Sequence, residues 1–142
     1  MQKQNVLVLC TGNSARSQMG EAFLRKHGGE RFDVFSAGTD PKGVNPLAVK
    51  ALAEVGIDAS GQRSKNLKEY LGKLPVSYLI VVCGDADENC PRIWPGVHNR
   101  LFWPFDDPAA ATGTEEDQLT VFRRVRDQID AKIQAWLKEI SP

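Results

Sequence analysis

The chain has 142 residues, enough for one domain with a full core, and its 18 Lys and Arg balance 18 Asp and Glu to a net charge of zero. That balance argues against a broad nucleic-acid or membrane surface, and the apolar run Val6–Cys10 is too short for a membrane span or signal-peptide core. The expected location is therefore the cytoplasm, where three cysteines do not make a structural disulfide framework and are instead core residues, metal ligands or reactive thiols.

Val6-Leu7-Val8-Leu9 reads as a buried strand that stops at the turn Cys10-Thr11-Gly12-Asn13. From about Ala15 to His27, Met19, Ala22 and Phe23 fall at helical spacing, and Gly28-Gly29 ends that helix. Phe32 to Ala37 predicts a second strand, closed by Gly38. Asn45-Pro46 predicts a helix start, with Asn as cap and Pro at the first helical position. Leu47, Ala51, Leu52 and Val55 give this helix an apolar face, and Gly56 is its terminator. Tyr78 to Val82 predicts a third strand, ending at Cys83-Gly84. Leu101 to Phe105 predicts a fourth, cut short by Pro104. Leu119, Phe122, Val125, Ile129, Ile133, Trp136 and Ile140 stripe one face of a long final helix. Continuous apolar strands alternating with helices imply an α/β fold with a parallel sheet covered by helices on both faces. With no linker, repeat or composition shift, residues 1–142 read as a single domain.

The chemistry concentrates in Cys10-Thr11-Gly12-Asn13-Ser14-Ala15-Arg16-Ser17, between the first strand and the first helix. Gly12 and Asn13 let the backbone curl so that successive N–H groups face one centre, and the helix start adds unpaired donors and partial positive charge. Arg16 supplies a planar fork for two oxygens of a tetrahedral oxyanion. The same positive surroundings favour the Cys10 thiolate, to which Ser17 can donate a hydrogen bond.

The third strand ends at Cys83 as the first ends at Cys10. If the two strands are parallel neighbours, roughly 4.8 Å apart, their sulfurs share one sheet edge within disulfide reach. In an open sheet of order 2-1-3-4 the switch point, where ligands characteristically bind, falls between them. Cys90 follows Cys83 by seven residues, roughly 10.5 Å along a helix, which exceeds the limit of about 7 Å between disulfide-bonded α-carbons. A Cys83–Cys90 bond therefore needs Gly84 to Asn89 to be, or become, a loop, and Gly84, Asp85, Asp87, Asn89 and Pro91 make a poor helix.

The Cys10 loop resembles the Cys-x5-Arg loop of low-molecular-weight tyrosine phosphatases, which place it near the N-terminus as here. Members of that family carry an Asp-Pro on a loop over the pocket, matched by Asp107-Pro108, and its Asp is the general acid. Over its full length the chain resembles the thioredoxin-coupled arsenate reductases of that superfamily. The resemblance rests on the Cys10 loop, Ser36-Ala37-Gly38, Gly43-Val44-Asn45-Pro46, the Cys83-to-Cys90 segment and Asp106-Asp107-Pro108. It implies a low-molecular-weight phosphatase-like sheet of order 2-1-3-4. It further implies that Cys10 attacks arsenate, with Asp107 protonating the departing oxygen. Cys83 then releases arsenite as a Cys10–Cys83 disulfide forms, and Cys90 passes the oxidation to thioredoxin, with no bound metal or cofactor. Phosphate and sulfate are implied analogues, and the expected enzyme is a monomer without nucleic-acid or membrane partners. A plain phosphatase, hydrolysing phosphate monoesters through a Cys10 phosphoenzyme, is the alternative; it would leave Cys83 and Cys90 without a role. Ala15 stands where relatives often carry another cysteine. Lys65 stands where several carry an acidic residue that, with Asn13, Glu21 and Ser36, surrounds a monovalent cation; its ammonium is expected to take that cation's place.

Overall fold

Four consecutive residues, Val6 to Leu9, are at most 1% exposed, which only a central strand covered on both faces can achieve. In the computed structural model, which describes residues 3–83, 97 and 99–140, that strand is β1, Gln4–Cys10. The chain continues through α1 (Arg16–Gly28), β2 (Phe32–Gly38), α2 (Pro46–Ala53), β3 (Tyr78–Val81), β4 (Asn99–Phe102) and α3 (Glu115–Glu139). Short 3-10 turns lie at Leu67–Glu69 and Pro108–Ala110. All strand pairs are parallel, in the order β2-β1-β3-β4 expected from the sequence. The strand after β1 lies on one side of it and β3 on the other, so the chain reverses direction at the carboxyl end of β1 and opens a crevice there.

Register assigns the faces. Val8 pairs with Ser36 and Gln4 with Phe32, so these residues share a face. α1 lies over it, and Trp136 of α3 stacks on Phe32 at 5.7 Å. Phe35 points the other way and meets Tyr70 edge-on at 5.4 Å, beside the Leu67–Glu69 turn. Asn45 caps α2 by accepting from Leu47 N at 2.8 Å, with Pro46 at the first position as expected.

Two expectations shift. The fourth strand is Asn99–Phe102, not Leu101–Phe105: as a sheet edge it needs no apolar run, and Trp103 N and Phe105 N instead tie the following segment to Val81 O and Val82 O. Val55 lies outside α2 and is 36% exposed, because the helix stops at Ala53 and the chain turns through Gly56 at φ +83. The last helix begins at Glu115, a turn earlier than its apolar stripe, on a reciprocal capping box between Thr114 and Asp117. Arg123 and Arg126 of α3 clasp Glu54 beyond the end of α2, at 2.7 and 3.0 Å. Among the described residues no helix is long and apolar enough to cross a membrane.

Candidate active site

The segment between β1 and α1 cannot be regular structure, since Asn13 sits at φ +45, a left-handed conformation that Asn tolerates better than most residues. Its fully buried side chain is the hub that holds this conformation. Nδ2 donates to Ser17 Oγ at 2.8 Å and Ser36 Oγ at 3.0 Å, while Oδ1 accepts from Lys65 N at 2.8 Å and Gln18 Nε2 at 3.0 Å. All four valences of the amide are used, so the loop has one arrangement. The N-cap residue of α1, Ala15, has no side chain to cap it.

Two flanking segments brace the loop. On one side a strap of residues 62–66 lies behind it. Ser64 Oγ donates to Gly12 O at 3.1 Å, Gln62 holds Gln18, and Gly38 N donates to Lys65 O at 2.9 Å. On the other side Asp40 N, Lys42 N and Asn45 N donate in turn to Thr11 O, Gly12 O and Ser14 O, at 2.9, 3.0 and 2.9 Å. Gly38 lies where β2 meets the loop: a Cβ there would fall onto Thr11 O, 2.9 Å from Asn13 N and 3.0 Å from Cys10 O. Close backbone approach, rather than strand termination, explains this glycine.

A cavity of about 290 Å³ opens above the loop, lined by Cys10, Thr11, Gly12, Ser14, Ala15, Arg16, Lys42, Asp107 and Ala109. Cys10 is not disulfide-bonded and is 4% exposed. Thr11 Oγ1 is buried without a hydrogen-bond partner among the described residues. Arg16, 5% exposed, donates to Phe105 O at 3.2 Å and faces Asp107 Oδ2 at 3.8 Å. Asp107 also accepts from Ala109 N at 3.0 Å, which fixes its side chain above the cavity. Asp106 turns away to Arg124 at 3.2 Å, so the carboxylate next to Pro108 is the one at the cavity.

Of the other residues singled out in the sequence, Asn13 and Ser17 lie beneath the loop rather than in the cavity. Glu21, Ser36 and Lys65 form a buried cluster behind them. Lys65 Nζ donates to Arg63 O at 2.8 Å, Glu21 Oε1 at 3.3 Å and Ser36 Oγ at 3.4 Å, and Ser36 Oγ donates to Glu21 Oε1. Arg25 Nη1 holds the second oxygen of Glu21 at 2.8 Å. A larger cavity, about 620 Å³, is lined by Glu21 and Lys65 of this cluster together with Arg25, Lys26, Arg63 and Tyr70; it includes neither Cys10, Arg16 nor Asp107, so the smaller one is the site.

Val82 N donates to Leu9 O at 3.0 Å, which sets Val82, just past the end of β3, level with Cys10 and Cys83 one residue beyond. Cys83 is fully buried and disulfide-bonded. Cys90 and the segment Gly84–Asn89 lie outside the described residues. Among those described, no group of three or more His, Cys, Asp and Glu is placed to hold a metal ion. Sequence reasoning missed Lys42 at the cavity, because nothing in its local pattern separates it from any exposed lysine.

The model of the low molecular weight phosphotyrosine protein phosphatase family matches residues 5–142. The chain belongs to that family. Within the phosphatase family it is similar to the arsenate reductase of Oceanobacillus iheyensis, at 46% identity over 97% of this chain and 98% of that one. Among solved structures it is similar to an arsenate reductase in the phosphate-binding state, with TM-score 0.81, 32% identity and coverage of 97% and 99%. It is also similar to the thioredoxin-dependent arsenate reductase of Corynebacterium glutamicum, with TM-score 0.72, 28% identity and coverage of 97% of this chain and 62% of that one.

Proposed function

We propose that this member of the phosphatase family reduces arsenate to arsenite by passing two electrons through Cys10, Cys83 and Cys90. The observation that carries the reading is a second cysteine, Cys83, just past the end of the neighbouring strand and one residue beyond the level of Cys10. Hydrolysis of a phosphate ester needs one nucleophilic thiol at this cavity; reduction needs a second within reach of the first.

Arsenate enters the loop with its oxygens on the backbone donors and on Arg16, which turns from Phe105 O and Asp107 to two oxygens of the anion. The Cys10 thiolate attacks arsenic, and protonated Asp107, its Oδ2 released as Arg16 turns to the anion, protonates the oxygen that leaves as water. The Cys83 thiolate then attacks Cys10 Sγ. The sulfur–arsenic bond breaks, its electron pair stays on arsenic, and arsenite departs as the Cys10–Cys83 disulfide forms. Cys90 attacks Cys83, frees Cys10, and leaves a Cys83–Cys90 disulfide for thioredoxin to reduce. The electrons come from thiols, so the cycle needs no bound cofactor; the reading further takes the enzyme to be a cytoplasmic monomer. Lys65 serves as a built-in cation: its ammonium neutralises Glu21 and holds Ser36, while its backbone N–H holds Asn13.

Relatedness to tyrosine phosphatases supports weak phosphatase activity at the same cavity. Asp107-Pro108 runs into Ala109-Ala110-Ala111, of which Ala109 lines the cavity, and no aromatic residue follows the proline to guide a phosphotyrosine, which favours the small oxyanion. The test is arsenate-dependent NADPH oxidation with thioredoxin and thioredoxin reductase, repeated with glutathione and glutaredoxin. Turnover is expected with the first pair; turnover with neither, beside brisk aryl phosphate hydrolysis, would establish the phosphatase instead.

A further inference from the structure

Arg16 and Lys42 are the two cationic side chains, among the described residues, that line the Cys10 cavity. They differ in every respect that matters for capturing an anion from water. Arg16 is buried, holds Phe105 O and faces a carboxylate. Lys42 is 65% exposed at its side chain, and its ammonium sits 2.7 Å from Asp40 Oδ2, itself 60% exposed. A pair this exposed is worth little, so its ammonium can exchange partners readily.

Its position, by contrast, is fixed. The three backbone bonds from Asp40, Lys42 and Asn45 hold this segment to the oxyanion loop, with Lys42 directly opposite Gly12. A Cβ on Gly12 would lie 3.3 Å from Lys42 Cγ, so the lysine stem runs across the bare face of that glycine. The stem is thereby guided along the loop, and the ammonium is the one mobile part.

We propose that Lys42 is a substrate-recruiting residue: its ammonium leaves Asp40 to meet the incoming oxyanion at the cavity mouth and hands it to the loop donors and Arg16. Asp40 is the place-holder that keeps the ammonium at the rim between turnovers. The proposal rests on the arsenate reading for its substrate, and the chemistry of the reaction suits it. Arsenate enters charged, whereas arsenite leaves as neutral arsenous acid at neutral pH. A cation at the rim therefore speeds entry and does not retain the product. Lys42 should act on kcat/KM and not on kcat.

Two readouts test it, one independent of turnover. Inorganic phosphate should protect Cys10 from iodoacetamide, followed by mass spectrometry of the Cys10 peptide. In Lys42→Gln the half-protecting phosphate concentration should rise about fivefold at low salt, the factor for one unit charge about 4 Å away in water. The arsenate kcat/KM should fall by a similar factor with kcat unchanged. Both differences should vanish between about 0.01 M and about 1 M ionic strength, as the screening length drops from about 30 Å to about 3 Å. Lys42→Arg should restore both, which separates lost charge from a disturbed fold, and Asp40→Asn should protect at lower phosphate in a Lys42-dependent way. Lys50→Gln, an exposed lysine paired with Glu115 away from the cavity, should change neither. Equal protection of wild type and Lys42→Gln at low salt would overturn the proposal. A Lys42-dependent protection in an enzyme that reduces no arsenate would uphold it while removing the reductase reading.

Discussion

Replacing Lys65 by alanine removes one member of a buried ion pair and strands the other. The two side chains are 7% and 5% exposed, and taking one partner from a buried pair costs about 3–5 kcal/mol. Glu21 keeps the half-exposed Arg25 at 2.8 Å and the Ser36 hydroxyl, so the cost should fall at the lower end, about 3 kcal/mol. At about 2–4 °C per kcal/mol for a domain near this size, Tm should drop by about 9 °C. The loss should reach the chemistry, since Glu21, Ser36 and Asn13 form one chain of hydrogen bonds to the oxyanion loop. Glu21 Oε1, Ser36 Oγ and Arg63 O, the three oxygens that hold the ammonium, are also suited to a monovalent cation. Thermal unfolding and arsenate kcat/KM, measured with potassium varied at constant ionic strength, should therefore be flat in wild type. Lys65→Ala and Lys65→Asp should be stimulated. Strong potassium activation of wild type, or a Lys65→Ala variant as stable and active as wild type, would refute the reasoning.

Cys10→Ser should abolish both arsenate reduction and aryl phosphate hydrolysis. Cys83→Ser and Cys90→Ser should lose multiple-turnover reduction only, with Cys90→Ser trapping a Cys10–Cys83 disulfide visible by mass spectrometry after one turnover. Gly38→Ala drives a methyl group into the backbone of Cys10, Thr11 and Asn13; it should cost about 1–3 kcal/mol in unfolding free energy and lower kcat/KM more than a core substitution of equal cost. The Arg123 guanidinium, helped by Arg126, holds the Glu54 carboxyl down at about 2 from its ordinary 4.5. Its contribution is therefore complete above about pH 4.5 and fades as pH falls towards 2. Urea midpoints of wild type and Glu54→Gln should differ at neutral pH and converge near pH 2; a gap that persists there would assign the effect to something other than this carboxylate.

What the sequence made legible was local. Val6–Leu9 running into Cys10-Thr11-Gly12-Asn13 announces a strand, a turn and a helix start, because each signal lies within a few residues of the next. Asn45-Pro46 works in the same way. β4 escaped accurate placement because Asn99 and Arg100 belong to an edge strand, whose exposed face removes the apolar run that marks central strands. Lys42 escaped entirely, since its place follows from backbone bonds to a loop thirty residues earlier. Lys65 was singled out only by resemblance. Its burial depends on Glu21, 44 positions away, and no periodicity encodes such a contact.

The bonds from Asp40, Lys42 and Asn45 also bear on how this chain can change in length. Surface loops usually tolerate insertions, and the exposure of Asp40, Lys42 and Gly43 would mark residues 40–45 as such a loop. Yet three of its amides are committed to Thr11, Gly12 and Ser14 in fixed order, so one added residue would shift every later rung against the oxyanion loop. This stretch should accept inserted residues hardly at all. Within the family, its length should stay constant.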